Sequence, residues 1–352
     1  MVSHDLSHGV DLRHHGDQET GPGLIDLAVN VRGDEPPAWL IGRLERALRQ
    51  LARYPDPGPA TETVARRHGR DPEEVLVTAG AAEAFVLLAR ALRPAHAVCV
   101  HPGFTEPEAA LRAAGHEVHR LVLEPPYVLD PALVPDEADL VVIGNPTNPT
   151  GVLHERLAEL CRTGRVTVVD EAFMDAVPGE THSLSGQRLP GLVVVRSLTK
   201  TWALAGLRVG YLLAEPDLVR RLREAQPLWS VSTPALAALD ACLQRGPVKQ
   251  AERDAVEVAR LREQLAAALG QIGVEVAPGS QAPYLLCRVP GRPEVRERLR
   301  EQGVAVRRGD TFPGLGPEHW RTAVRSEELS DRLISALVDV LSTRTSEIHT
   351  EE

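Results

Sequence analysis

Aromatic side chains make up only 3% of this 352-residue chain, so an aromatic that falls inside a motif draws notice. Long hydrophobic runs are missing too. The longest apolar stretches, such as residues 139–144, fall far short of the ~18–20 residues that cross a bilayer. The first residues are polar and histidine-rich, where a secretory signal carries an apolar core. Neither a membrane span nor a signal peptide is expected. The four cysteines, Cys99, Cys161, Cys242 and Cys287, are scattered with no C-x-x-C pair, which argues against a disulfide frame or a thiolate zinc site and suits reduced thiols in a cytoplasm. Positive charge is in deficit: 39 Lys plus Arg against 49 Asp plus Glu leave a formal charge of -10, so nucleic acid meets net repulsion. Among 13 histidines there is no H-E-x-x-H, and the one H-x-x-x-H pair, His4 and His8, sits in a polar stretch with no helical pattern. That pair reads as solvated, and no metal is expected.

What the chain does have is 43% apolar side chains, enough for one large core or two modest ones. Short β-branched runs bounded by turn residues predict strands at 75–78, 97–101, 117–123, 140–144, 166–169, 192–196 and 209–214. Several are apolar almost throughout, the pattern of strands covered on both faces, so an α/β fold with a mostly parallel seven-stranded sheet is expected. Beyond these strands the texture changes to long charged helices and a smaller α+β unit, with strands at 284–289, 304–306 and 321–324 and helices over 294–302 and 327–341. The expected division is an N-terminal arm with part of a smaller domain in 1–45, a large domain in 46–240 and a C-terminal small domain in 241–352. The first ~20 residues hold too few apolar positions to fold alone and must drape over something; the tail from 342 reads as polar and frayed.

Chemistry concentrates in residues 197–211, Ser197-Leu-Thr-Lys-Thr-Trp-Ala-Leu-Ala-Gly-Leu-Arg-Val-Gly-Tyr211, where Lys200 follows a buried strand. A lysine among apolar neighbours and other cations loses its proton more readily and can attack an aldehyde. The hydroxyls of Ser197 and Thr199, with Arg208, suit a phosphate. Gly80, Ala81 and Ala82 join a strand to a helix with apolar positions at Phe85, Leu88 and Leu92, so backbone amides at that helix start would face an anion; a plain tight turn reads equally well. Asp170 ends an apolar strand, an expensive place for a carboxylate without a cationic partner, and a helix cap or salt bridge is the alternative. Phe104 follows a strand's carboxyl end, where ligands gather in open α/β sheets, and Asn148 lies in a proline-rich loop where an Asx turn is the other reading.

Seven motifs stand in order along the chain: Tyr54-Pro-Asp56, Thr78-Ala-Gly-Ala-Ala-Glu83, His101-Pro-Gly-Phe104, Asn145-Pro-Thr-Asn-Pro-Thr-Gly151, Asp170-Glu-Ala-Phe173, the Ser197 to Tyr211 segment, and Arg321-Thr-Ala-Val-Arg325. In them the chain resembles the fold-type I pyridoxal 5′-phosphate enzymes of the class I/II aminotransferase family, from about residue 15 to 341. The resemblance implies that Lys200 binds the cofactor covalently, that Asp170 pairs with its pyridine nitrogen, and that Phe104 stacks on its ring. Gly80, Ala81, Ala82, Ser197, Thr199 and Arg208 would hold its phosphate. Asn148 and Phe173 would lie at its phenolate side, a Phe here leaving the phenolate without a tyrosine hydroxyl. Tyr54 would reach the cofactor phosphate of a neighbouring subunit, making a homodimer with a shared active site. Arg321 would clamp a substrate carboxylate. Arg325, on the same face of a strand by alternation, would join it, with Asn30 and His15 on the substrate side and Arg307 and Arg308 just upstream.

The substrate implied is a small phosphorylated amino acid or amine. Phe173, the run Thr311-Phe-Pro-Gly-Leu-Gly316 and the Arg321–Arg325 motif are similar to the threonine-phosphate decarboxylases of cobalamin synthesis, which makes decarboxylation the leading expectation. An aminotransferase of the histidinol-phosphate type, using 2-oxoglutarate, is the alternative. A non-catalytic cofactor-binding module is a third reading, with no preceding helix-turn-helix to support it.

Overall fold

The computed structural model describes residues 10–347, with side chains to 342; His4, His8 and residues 348–352 lie outside the described part. Seven strands form the larger sheet: β2 (Val75–Thr78), β3 (Ala97–His101), β4 (Val118–Val122), β5 (Leu140–Gly144), β6 (Val166–Asp170), β7 (Leu192–Ser197) and β8 (Gly210–Leu213). A two-residue strand, β1 (Ile25–Asp26), precedes them. The order is β2-β8-β7-β6-β5-β3-β4. β8 runs antiparallel to both its neighbours, and the other pairings are parallel. The expected mostly parallel seven-stranded α/β sheet is therefore present. Strands 117–123 and 209–214 are each trimmed at both ends, since pairing with β3 and with β2 and β7 ends there.

β5, β6 and β7 are buried along nearly their whole length, because one apolar cluster covers each face of the sheet. Val141, Ile143, Val169 and Val194 point to one side and Leu140, Val142, Val168 and Val195 to the other. This alternation explains why the strands read as unbroken apolar runs. Such strands have no polar face to offer. Chemistry is left to their carboxyl ends, where His101, Gly144, Asp170 and Ser197 finish β3, β5, β6 and β7.

A second sheet runs in the order β12-β13-β10-β9, built from β9 (Glu275–Val276), β10 (Tyr284–Arg288), β12 (Arg307–Arg308) and β13 (His319–Ala323), all antiparallel. β11 (Val304–Ala305) instead pairs in parallel with β1, so the amino-terminal segment is tied into this half. Trp320, Leu333, Leu337, Leu285 and Leu299 form its core. Helix Arg245–Gln271 packs against both halves. The closing helix runs Glu327–Glu347, beyond the expected end at 341. No helix among the described residues is long and apolar enough to cross a membrane.

Trp320, 1% exposed in the core of the smaller sheet, anchors the strand that carries Arg321. Replacing it with alanine leaves a large void, and Trp320→Ala is expected to lower stability by ~3–5 kcal/mol. Denaturant unfolding checks this; a loss below ~1 kcal/mol would show that the cluster does not support the sheet.

Candidate active site

The strand ends of the larger sheet, β12 and β13 of the smaller one and residues 15–17 and 28–31 enclose a cavity of about 480 Å³. Lys200 enters it from the turn after β7, and Asp170 from the end of β6. Burial, reinforced by the Arg321 and Arg208 charges and opposed by Asp170, pushes the Lys200 amine from 10.5 down to about 8. Burial pushes Asp170 up to about 6, although the Ala172 amide donates to it at 3.0 Å and Lys200 pulls the other way. An amine eased toward neutrality beside a carboxylate lacking a close cation is a pair built for chemistry rather than for stability. The chain has just two lysines, Lys200 and Lys249.

An anion cradle lies alongside. Gly80, with φ +80°, caps the start of helix Ala81–Leu92. A Cβ on Gly80 would lie 2.7 Å from Arg208 Nη2, so the guanidinium sits directly over the helix amino terminus. Ser197 and Thr199 share a hydroxyl hydrogen bond of 2.8 Å, and both line the cavity together with Ala81, Ala82 and Arg208. Helix amides, two hydroxyls and a guanidinium thus converge on one spot, the donor set a phosphate dianion requires.

The opposite wall carries two more arginines. Arg307 and Arg321 are directly paired across β12 and β13, and both line the cavity. Like charges placed opposite each other on adjacent strands repel. Burial lowers both: Arg321 falls to about 9, with Arg307 adding to the shift, and Arg307 falls to about 10 against the opposing pull of Glu19, 3.7 Å away, with Arg308 adding to the shift. Such a pair calls for an anionic ligand between its forks. Arg321 is oriented by donating to Asn148 Oδ1 at 2.6 Å and to the Ala28 carbonyl, which leaves the Asn148 amide group to donate into the cavity. Asn30 also lines the cavity, buried, and both its amide atoms lack a partner among the described residues. Phe173 stands edge-on to Tyr284 at 5.0 Å. Phe104 lines the wall beside the strand ends, with the His15 ring 5.5 Å away.

The structure thus gathers His15, Asn30, Ala81, Ala82, Phe104, Asn148, Asp170, Phe173, Ser197, Thr199, Lys200, Arg208 and Arg321 around one cavity, with Gly80 at its edge. Two expected residues are elsewhere. The strand ends at Ala323, so alternation does not carry to Arg325, which instead donates to the Val29 and Val31 carbonyls and borders a neighbouring cavity behind Lys200. Its place supports the loop bearing Asn30, not the wall bearing Arg321. Tyr54 is 76% exposed and stacked on Trp229, away from the cavity of its own chain. Beyond the expected site residues, Asp17, Glu106 and Phe312 also line the cavity, as does Arg307, which the sequence offers only as one of a doublet upstream of Arg321. For Arg307 the signal was the Arg-Arg doublet: alternation sends Arg307 inward while Arg308 pairs with Asp310 outside.

The chain matches the family model for aminotransferase class I and II over residues 22–337. It belongs to that family. It is 51% identical to the histidinol-phosphate aminotransferase of Mycobacterium tuberculosis over 93% of this chain and 91% of that protein. It is 33% identical to the threonine-phosphate decarboxylase of Salmonella typhimurium, over 91% and 92%. Its fold matches the crystal structure of a histidinol-phosphate aminotransferase from Sinorhizobium meliloti in complex with pyridoxal 5′-phosphate, with a TM-score of 0.78 at 19% identity over 90% of each chain. This member of the class I and II aminotransferase family is an enzyme, and pyridoxal 5′-phosphate is its cofactor.

The residues present fit that group: Lys200 for its aldehyde, the Ser197–Thr199–Arg208 cradle for its phosphate, and Asp170 as the carboxylate a protonated pyridine would satisfy. Two outcomes follow. Condensation needs the neutral amine, which predominates above about pH 8, so cofactor uptake by the apo-protein is expected to speed up with pH and level off just above 8. Continued acceleration to pH 10, as for an unshifted lysine, would contradict the assignment, as would borohydride trapping of the cofactor on Lys200→Ala. Gly80→Ala forces a Cβ into Arg208 at a positive φ and is expected to weaken cofactor binding roughly 10-fold, about 1.4 kcal/mol, by absorbance titration.

Proposed function

We propose that the protein is an aminotransferase of the histidinol-phosphate type, exchanging an amino group between a phosphorylated amine and the glutamate/2-oxoglutarate pair. The observation that carries this reading is the cross-strand Arg307–Arg321 pair facing Lys200 across one cavity. Two buried forks suit a phosphate, and they suit equally the carboxylates of an amino-acid co-substrate. The expectation of a threonine-phosphate decarboxylase gives way here, because the relative at 51% identity is named as an aminotransferase and the decarboxylase relative stands at 33%.

In this reading the bound cofactor acts as the electron sink for the bond broken at the substrate carbon. Asp170 would keep the pyridine nitrogen protonated, Lys200 would hold and return a proton at its Nζ, and Phe104 would pack against the ring. Arg321 takes the carboxylate of the amino-acid partner, and Arg307 with Arg321 takes the phosphate of the other substrate. Tyr54 and Trp229 stack outward beside Leu228, all more than half exposed. An apolar surface of this kind fits a second copy of the chain, and we place Tyr54 in the neighbouring subunit's site within a cytoplasmic homodimer.

A second reading has one observation of its own. Phe173 brings no hydroxyl to the cavity, a feature shared with the threonine-phosphate decarboxylase pattern, and it would lead to loss of carbon dioxide without a keto acid. The two readings separate in a single pair of incubations of cofactor-loaded protein. Histidinol phosphate with 2-oxoglutarate is expected to yield glutamate. Threonine phosphate alone, followed by mass spectrometry for the decarboxylated amine, is expected to yield none, and the reverse pattern would replace the first reading by the second.

A further inference from the structure

We propose that the Arg32–Asp254 ion pair is a latch that sets Asn30 in the cavity, with Arg32 and Asp254 as positioning residues for the amide that meets the substrate. The inference deepens the proposed function and rests on its substrates occupying the cavity beside Asn30.

Residues 28–32 are fixed mostly through their backbone. The Ala28 and Val29 amides donate to Asp26 Oδ1, each at 2.9 Å. Arg325 donates to the Val29 and Val31 carbonyls, and the Arg32 amide donates to the Lys200 carbonyl at 2.8 Å. Such bonds ask nothing of the loop's own side chains. Among the described residues those side chains make one polar contact, from Arg32 Nη1 to Asp254 Oδ2 at 2.6 Å, on helix Arg245–Gln271. The other Asp254 oxygen accepts from Gln250, one turn earlier, at 3.1 Å, so the carboxylate is itself held in place.

Packing does not hold the loop against that helix. Between them lies a chamber of about 40 Å³ lined by Asn30, Arg32, Asp254, Ala255 and Arg325, room for a few waters at the ~10–15 Å³ that each requires. The ion pair spans this gap. Asn30 borders both the chamber and the larger cavity, so without the latch nothing stops the loop from settling into the void and drawing the amide with it. A displacement of ~1 Å at a substrate contact costs up to ~10²-fold in rate.

The amide so placed is buried, with both Nδ2 and Oδ1 free among the described residues. It offers one donor group and one acceptor together. A substrate that carries an amine beside an acidic group satisfies both, the amine giving a proton to Oδ1 and an acidic oxygen accepting from Nδ2. The latch itself adds little to folding, because the Arg32 side chain is 41% exposed and that of Asp254 18%, and an ion pair open to water contributes little to stability. Its effect therefore falls on the cavity and not on the fold.

The test compares full-length, cofactor-loaded wild type with Arg32→Gln, Asp254→Asn, Asn30→Ala, the Arg32→Gln/Asn30→Ala double variant and the charge-swapped Arg32→Asp/Asp254→Arg. Two quantities are read: the Kd of succinate, an unreactive dicarboxylate, by calorimetry, and hydrogen exchange of residues 28–34 by mass spectrometry. Each latch variant is expected to speed exchange in that segment and to weaken succinate by roughly 10-fold, with the cofactor spectrum and the unfolding midpoint nearly unchanged. Adding Arg32→Gln to Asn30→Ala should cost nothing more, because Arg32 acts through the amide. The charge-swapped protein should recover most of the affinity. A succinate Kd that the latch variants leave unchanged, losses that multiply in the double variant, or a charge-swapped protein as weak as the single variants would overturn the inference. Asp254→Asn carries the test if Arg32→Gln does not fold. If wild type does not transaminate histidinol phosphate, the functional reading falls, and the exchange and succinate series still decide the role of the latch.

Discussion

The hydrogen bond from Arg321 to Asn148 joins the two sheets across the cavity, and much of the site's character follows from what it brings together. Asn148 belongs to the loop after β5 of the larger sheet, and Arg321 lies at the centre of β13 in the smaller one. To make the bond, Arg321 must be buried beside Arg307, within the field of Lys200. The cations so gathered depress one another, and Asp170, desolvated at the end of β6, is pushed the opposite way. Each of these groups holds its charge less firmly than it would in water. The cost is carried by the apolar clusters on both faces of the larger sheet and around Trp320, and it leaves a cavity ready for anionic ligands.

The larger sheet makes this possible by being uniform. Because β5, β6 and β7 are covered on both faces, they can be apolar from end to end and still terminate in register. Gly144 pairs with Asp170, and Asp170 with Val195. Within five residues past that line lie Ser197, Thr199 and Lys200. The turn after β2 and the turn after β7 meet because β8 returns antiparallel between those strands, which brings Arg208 over Gly80. A phosphate cradle thus forms from segments more than a hundred residues apart.

The parts of this site that could be read in the sequence were those carried by local patterns. A lysine just after an apolar strand, an aspartate at the end of another, and a glycine before an amphipathic helix each leave a mark within a few residues, and all fall where those marks place them. What was hidden depends on long-range register. Arg307 differs from Arg308 only by which face of β12 it occupies, and pairing with β13 decides that. Glu106 is bonded to His15, 91 residues earlier. Arg325 falls outside the alternation because the strand that would align it with Arg321 stops two residues short, at Ala323. The amino-terminal arm, with few apolar positions, showed that it needed a surface to lie on but not which one; polar contacts to Thr105, Arg296 and Arg307 settle it.

The scarcity of lysine has a consequence for selectivity. The enzyme's cofactor is an aldehyde, and any free amine competes for an aldehyde. Nearly all the positive charge of this chain is carried by guanidinium groups, which do not form stable imines, and the second lysine, Lys249, stands exposed on helix Arg245–Gln271. Apart from that residue and the α-amine, the protein presents the aldehyde with a single primary amine. The same economy makes Lys200 an address for amine-directed reagents: an acylating probe would mark the empty site, and cofactor loading would shield it.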